Sequence, residues 1–366
     1  MNVAIIGNNL TSLTLSKALV SKKIKVTLFY NSKNNLKKTN RCIGMTSKNL
    51  NFFNEKILKI NTRLYHPIKE IGIFFESEAN KEALNFNQKK KNLFNIIKIS
   101  NLIFILNNIL NKNKLFFKKK IKNKNFYNLI LKEKKYDLIF NCEKNNSIIN
   151  NFFNSSHEKD YNSDAYTFNF THQKLLNNKA IQIFTKYGPL AFLPLSNNET
   201  SVVFSIYRKN KNYSEKELIN LINLYNKKYV IKKLTKVEKG KLKFLSKRKY
   251  FINKVLLFGD ILHQIHPLAG QGFNMTLRDL EILLRILQKR IDLGLQLDPS
   301  VFEEFENKVK HFNFIYSNSI NFIQSFFQFD SKYKNNISNK IINLTSKNNF
   351  VKNFITKVAD QGININ

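Results

Sequence analysis

The chain has no tryptophan, only two cysteines among its 366 residues, and far fewer acids than bases. With tryptophan missing, phenylalanine is the main aromatic filler of a sequence that is 43% hydrophobic and 13% aromatic, a globular balance that excludes disorder along the whole length. Cys42 and Cys142 have neither metal-binding nor redox spacing, which excludes a disulfide framework and suits a reducing compartment. No apolar run is long enough to span a bilayer, and Met1 leads straight into a strand with no basic-then-apolar leader. The expected location is therefore cytoplasmic, peripheral on the inner face of the membrane. No internal repeat is visible, and the length suits two interleaved domains better than one.

Lys and Arg number 61 against 25 Asp and Glu, a net charge of +36 with a sequence pI near 10.0. Such a balance favours anionic partners, nucleic acid or the acidic face of a membrane. The excess, however, is lysine interleaved with asparagine throughout rather than gathered into one arm or stripe. Zinc-finger spacing, an RNA-binding aromatic motif and a helix-turn-helix are all illegible, so nucleic acid is not expected as a partner. An acidic membrane surface is.

The most informative stretch runs from Gly259 to Asp279. It follows a buried strand, Val255 to Phe258, and enters a helix whose apolar positions Phe273, Leu277, Leu280, Leu284 and Leu287 recur at helical spacing. Gly259 lets the backbone approach a ligand, and the Asp260 carboxylate can accept hydrogen bonds from sugar-like hydroxyls. His266-Pro267 and Gly270-Gln271-Gly272 then open the helix, whose free N–H groups and positive dipole end can hold negative charge. At the other end of the chain, VAIIG, a helix from Leu13 to Ser21 and a strand from Lys25 to Phe29 begin a βαβ crossover. In nucleotide-binding folds the first turn of that unit takes a pyrophosphate. Of the G-x-G-x-x-G pattern only Gly7 is kept. Asn9 and Ser12 stand at the second and third glycines, and Tyr30 stands where an acidic ribose ligand would be.

The run from Gly259 to Asp279 resembles the second flavin-binding motif of the FAD-dependent aromatic-ring monooxygenases, G-D-x-x-H-x-x-H-P-x-x-G-Q-G-x-N, most closely in the ubiquinone-biosynthesis hydroxylase branch. Gly259, Asp260, His263, His266, Pro267, Ala269, Gly270, Gln271, Gly272, Asn274 and Asp279 carry the likeness. Ile261, Leu262 and Thr276 depart from it. Arg41, before Cys42-Ile43-Gly44-Met45-Thr46, matches an arginine that lies alongside the flavin in that branch, and His66 to Ile71 resembles its approach to a strand. Cys142 to Ser147 falls on A-D-G-x-x-S-x-x-R, with Ser147 kept but Glu143, Lys144 and Asn150 replacing aspartate, glycine and arginine. Gly188-Pro189-Leu190-Ala191-Phe192-Leu193-Pro194-Leu195 resembles G-P-x-A-x-L-P-L, which borders the aromatic-substrate cavity.

The resemblance implies a Rossmann-like α/β fold of the para-hydroxybenzoate hydroxylase kind. The FAD-binding domain would be discontinuous, at 1–75, 91–160 and 245–295, with an antiparallel-sheet substrate domain at 76–90 and 161–244 and a C-terminal helical segment at 296–366. It implies FAD as cofactor, with NAD(P)H and oxygen as co-substrates, and hydroxylation of a polyprenylated phenol ring in ubiquinone biosynthesis through a flavin hydroperoxide. Gly7, Asn9, Ser12, Arg41, Gly259, Asp260, Pro267, Gly270, Gln271, Gly272 and Asn274 are the implied cofactor-binding residues. Gly188, Pro189, Phe192, Pro194 and His266 would line the substrate cavity. No catalytic acid or base and no metal ligand is assigned. An accessory subunit of the same fold, having lost tight flavin binding, is the alternative, and other ubiquinone-pathway proteins are expected partners.

Residue types alone also give local readings. Pro189 and Pro194 would bracket an edge strand, Asp298-Pro299-Ser300 is a good helix start, and Phe302, Phe305, Val309, Phe312 and Tyr316 form one helical face. The mixed Phe, Ile and Lys of 326–363 suit short helices covering the nucleotide domain.

Overall fold

The computed structural model describes residues 1–31, 39–76, 82–87, 92–121, 125–208, 213–266 and 272–333, the side chains only to 321. The chain opens on a strand, β1 (Asn2–Ile6), a helix, α1 (Leu10–Ser21), and a second strand, β2 (Lys25–Tyr30), parallel to the first. α1 starts three residues ahead of the expected Leu13, because Asn9 and Ser12 form a capping box. Asn9 Oδ1 accepts from the Ser12 N–H at 2.9 Å while Ser12 Oγ accepts from the Asn9 N–H at 2.9 Å.

The chain then forms β3 (Cys42–Thr46), α2 (Ser47–Lys56), β4 (Tyr65–Ile68), β5 (Glu70–Phe75), β6 (Leu84–Asn87), β7 (Phe94–Lys98) and α3 (Ile99–Asn111). Next come β8 (Phe116–Lys120), α4 (Phe126–Lys132), β9 (Leu138–Asn141) and α5 (Ser147–Phe152). The long β10 (Ser156–His172), β11 (Lys179–Thr185), β12 (Gly188–Ser196), β13 (Glu199–Tyr207), α6 (Glu215–Tyr225), β14 (Ile231–Leu234) and β15 (Glu238–Lys247) build the middle of the chain. It closes with β16 (Phe251–Ile252), β17 (Val255–Leu257), β18 (His263–Gln264), α7 (Gly272–Asp292) and α8 (Ser300–Tyr333).

Three sheets result. The first has the order β16-β17-β9-β1-β2-β8, parallel except for β16. From β1 the chain proceeds outward to β2 and β8 on one side, then returns to β9 and β17 on the other. The order therefore reverses between β1 and β9, which opens a crevice at the carboxyl ends of those strands. The second sheet runs β18-β15-β10-β13-β12-β11-β5-β6, with β14 added to β10, and is antiparallel but for β11 beside β5. β3, β7 and β4 form a small third sheet. This is the Rossmann-like α/β arrangement with an antiparallel sheet over it that the sequence predicts.

Two boundaries differ from expectation. β5, counted by sequence with the nucleotide unit, pairs with β11 in the large sheet, Glu70 opposite Lys179 through Phe75 opposite Phe184. Val301, Phe302, Phe305 and Val309 of α8 pack into the same core as β1, β9 and β17, so the helix after Asp298 completes the nucleotide unit rather than forming a separate segment. Its apolar stripe has nowhere else to be buried, because the solvent side carries its charges. β12 is also not an edge strand, since β11 and β13 flank it. Pro194 is tolerated there because the register with β13 breaks between Pro194 and Ser196, where a missing N–H leaves no rung unpaired.

Candidate functional site

The crevice is bounded by the end of β1, the start of α1, the turn after β9 and the turn after β17. Gly7 follows β1 and donates its N–H to Phe29 O at 2.8 Å. Cys142 N–H donates to Ile6 O at 2.8 Å, and Phe258 N–H to Asn141 O at 2.9 Å, so the ladder holds the three strand ends level. Gly259 sits at φ +83°, and a Cβ there would lie 2.4 Å from Thr11 Cγ2. Only glycine allows both that backbone angle and the approach of the turn to α1.

Asp260 is exposed at the mouth of the crevice. It lies close enough to Cys142 to help raise the thiol pKa, though burial is the larger cause, and it raises the Lys144 ammonium. Desolvation is the first influence on Lys144, lowering its pKa, and Arg41 pushes in the same direction. Lys144 Nζ donates to Gln264 Oε1 at 2.9 Å. Arg41 and Asp260, far apart in sequence, therefore both lie close enough to Lys144 to influence its charge. Among the described residues, a Cβ at Gly272 would meet only Asp260 Oδ1, at 4.0 Å. An exposed carboxylate beside the start of this helix fits a polyhydroxylated chain, and the nearby cations fit its phosphates.

The adenosine side is built differently from the expected fingerprint. Asn9 Nδ2 donates to Cys142 O at 2.6 Å while its Oδ1 holds the Ser12 N–H, so this side chain closes the gap between α1 and β9. Ser12 N–H and Leu13 N–H are both satisfied within the turn, which leaves the N–H groups of Leu10 and Thr11 as the donors of the helix start with no partner among the described residues. Tyr30 ends β2 with Lys118 Nζ 5.0 Å from its ring centroid, placing a cation where a ribose-binding acid would be. The donor set as a whole fits FAD, with its flavin and phosphate side better supplied than its ribose side.

Several residues singled out by sequence lie elsewhere. Pro267, Gly270 and Gln271 are outside the described residues. Asn274 is fully engaged by protein: its Nδ2 donates to Gly44 O at 2.7 Å, and its Oδ1 accepts from Thr46 N–H at 3.1 Å and from Asn49 Nδ2 at 2.9 Å. It clamps β3 and α2 to α7. Phe192 does not line a cavity on the nucleotide side. With Leu190 it packs under Leu218 and Ile222 of α6, whereas Ala191 and Leu193 turn toward Ile68, Phe94 and Ile96 of the small sheet. Side chains alternate along a strand, so the inner face belongs to the odd-numbered partners. Gly188, at φ +130°, is fixed by a backbone approach, since a Cβ would stand 2.0 Å from Ser205 O. Pro189 is opposite Phe184 and Pro194 opposite Thr200, both buried within the sheet.

His266 is 1% exposed, and neither ring nitrogen has a hydrogen-bond partner among the described residues. Its ring meets Tyr161 of β10 edge-on, centroids 5.2 Å apart. Burial pushes the Tyr161 phenol up to about 12 and the His266 imidazolium down to about 3. His266 is thus neutral in the folded protein, while the unfolded chain takes up a proton near pH 6.5. The folded state binds fewer protons between those values, so stability is full above pH 6.5 and falls as pH drops toward 3, by about 1.4 kcal/mol per unit for this one group. Urea unfolding across that range should show the slope, and His266→Phe should flatten it by one proton. An unchanged slope would place the titrating group elsewhere.

Sequence reasoning also missed a buried network. His263 Nε2 lies 3.1 Å from Asp279 Oδ2, and Asn313 Nδ2 donates to the same oxygen at 2.9 Å. Asp279 and His263 are both in the motif, but the partner from α8 is 34 positions further on.

Residues 150–292 match the family model described as "FAD binding domain". The chain is 40% identical over 60 residues to the ubiquinone biosynthesis monooxygenase COQ6 of Saccharomyces cerevisiae, covering 16% of this chain and 12% of that protein. It is 34% identical over 113 residues to the 3-demethoxyubiquinol 3-hydroxylase of Escherichia coli, covering 29% and 28%. The matched stretches therefore span less than a third of either relative. In fold, the p-nitrophenol 4-monooxygenase PnpA of Pseudomonas putida superposes with a TM-score of 0.76 at 10% identity, covering 98% of both chains. HpxO of Klebsiella pneumoniae, complexed with FAD and uric acid, superposes with a TM-score of 0.75 at 9% identity, covering 98% of this chain and 96% of that one.

Proposed function

We infer that this chain, a relative in sequence and fold of the FAD-dependent ubiquinone-biosynthesis hydroxylases, is an oxidoreductase that binds FAD in the strand-end crevice and hydroxylates a polyprenylated phenol with NAD(P)H and oxygen. The observation that carries this is Asp260, an exposed carboxylate at a topological switch point, beside the start of α7 and close enough to Lys144 to influence its charge. When bound, FAD supplies the redox and oxygen chemistry. The protein's part is binding and orientation. Asp260 accepts hydrogen bonds from the ribityl hydroxyls, Lys144 and Arg41 offset phosphate charge, and the Leu10 and Thr11 N–H groups face the pyrophosphate. Other ubiquinone-pathway proteins are the proposed partners, with the chain cytoplasmic and peripheral on the acidic inner face of the membrane. No described helix is long and apolar enough to cross one.

A second reading, an accessory subunit of the same fold, has one observation in its favour: Asn9 satisfies the start of α1 from within the protein. The absorption spectrum after incubation with FAD and desalting separates the two. A retained oxidised-flavin band that bleaches with NAD(P)H is expected, and Asp260→Ala should weaken FAD binding roughly 10- to 100-fold, the loss of charged hydrogen bonds. A protein that stays colourless would overturn the hydroxylase reading and leave the accessory one.

A further inference from the structure

A groove of about 760 Å³ lies between α8 and the paired ends of β10 and β15, on surface that the flavin reading does not use. His311 and Phe314 of α8 face it from one side, and His157 and Arg248 from the other. Its single lining carboxylate, Glu306, is already engaged, by Lys310 Nζ at 2.6 Å and by the Tyr250 N–H at 3.3 Å. The groove's positive charge is not balanced in this way. Lys247 is only 7% exposed, and its Nζ donates to a neutral acceptor, Phe153 O, at 2.7 Å. Burial lowers its ammonium from the usual range, and Glu158 is the carboxylate that opposes this. Arg248, exposed at the rim, makes no ion pair among the described residues.

The surroundings extend the same field. Lys241, Lys243 and Lys249 are exposed along and just beyond β15. Of the acids on β10, Asp160 is held by Arg208 at 2.8 Å, and Asp164, opposite Lys241, by Arg208 at 3.1 Å and Lys239 at 3.2 Å, which leaves Glu158. Phe314 is 56% exposed at the groove's edge, an aromatic ring in water amid cations. A small soluble phosphate would need enclosing donors, whereas an open cationic groove with a projecting aromatic matches the boundary between headgroups and acyl chains.

We propose that this groove docks the chain on a bilayer containing anionic phospholipid, with a headgroup phosphate held by Arg248 before the buried Lys247 and Phe314 entering the acyl boundary. This gives the membrane-peripheral reading above a specific surface. Its test reads binding without turnover, so it fails or succeeds apart from the flavin reaction.

The test is co-sedimentation of the full chain with vesicles of phosphatidylcholine alone and with phosphatidylglycerol added, at near-physiological ionic strength. Binding is expected only to the mixed vesicles. Arg248→Glu should reduce it roughly tenfold or more, each charge near such a surface being worth about fivefold. Arg248→Lys should retain it, and Phe314→Ser should reduce it several-fold. Lys232→Glu, on the exposed side of β14, changes net charge equally and should stay within about twofold of the parent if the groove, not the diffuse field, binds. Absence of any preference for phosphatidylglycerol would overturn the proposal. So would an equal loss in Lys232→Glu, which would indicate general charge, or complete displacement by inorganic phosphate at fixed ionic strength, which would indicate a soluble ligand.

Discussion

Replacing Asp279 by alanine is expected to destabilise the protein by about 3–5 kcal/mol, the cost of removing one partner from a buried polar network. Asp279 is 0% exposed and His263 2%. Its Oδ2 receives both His263 Nε2 and Asn313 Nδ2, while the Arg278 guanidinium lies 3.6 Å from Oδ1. With alanine there, His263 and Asn313 lose their common acceptor in a place water does not reach, Arg278 loses its nearby counter-charge, and β18, α7 and α8 lose the point at which they are tied. Asp279→Asn keeps the shape and one acceptor oxygen, so it should cost less. Urea unfolding midpoints of both variants measure this. A loss under about 1 kcal/mol for alanine would mean that the two groups find other partners, as for an ordinary solvated hydrogen bond.

Gly259→Ala should cost about 3 kcal/mol, combining roughly 1–3 for overpacking with roughly 1–2 for a side chain in left-handed backbone. The two contributions are separable, because the obstruction is one side chain. Thr11 Cγ2 lies 2.4 Å, and Oγ1 3.0 Å, from the added Cβ. Thr11→Ala in the Gly259→Ala background should therefore restore the overpacking part and leave the backbone part. Thermal melts of the two single variants and the double variant supply the cycle. Strict additivity would show that Thr11 is not what excludes a side chain. Because Thr11 and Gly259 border the crevice, FAD retention should follow the same order.

Much of the nucleotide unit is legible in the residues themselves. VAIIG and KVTLFY read as buried strands because strands covered on both faces become continuous apolar runs. The Gly259 to Asp279 run stands out in the sequence because its chemistry is local: a glycine, a carboxylate and a helix start within a few residues. The same locality hides its limits. Asn274 carries the likeness as strongly as Asp260, yet its amide is used on Gly44, Thr46 and Asn49, partners more than 220 positions away. The facing of Phe192 is not legible in the sequence, since GPLAFLPL is apolar at nearly every position and alternation gives no sign of which side is inside.

The sequence by itself determined the parallel unit, because its strands show as apolar runs a few positions long. Tertiary structure alone decided that β5 joins the large sheet, that α8 completes the nucleotide core, and that Arg41 and Asp260 come near Lys144. It alone also assembled the Asp279 network and the cationic groove beside α8. Each of these is a meeting of segments distant along the chain, and which distant surfaces meet is set by the joint burial of many apolar faces rather than by any one stretch.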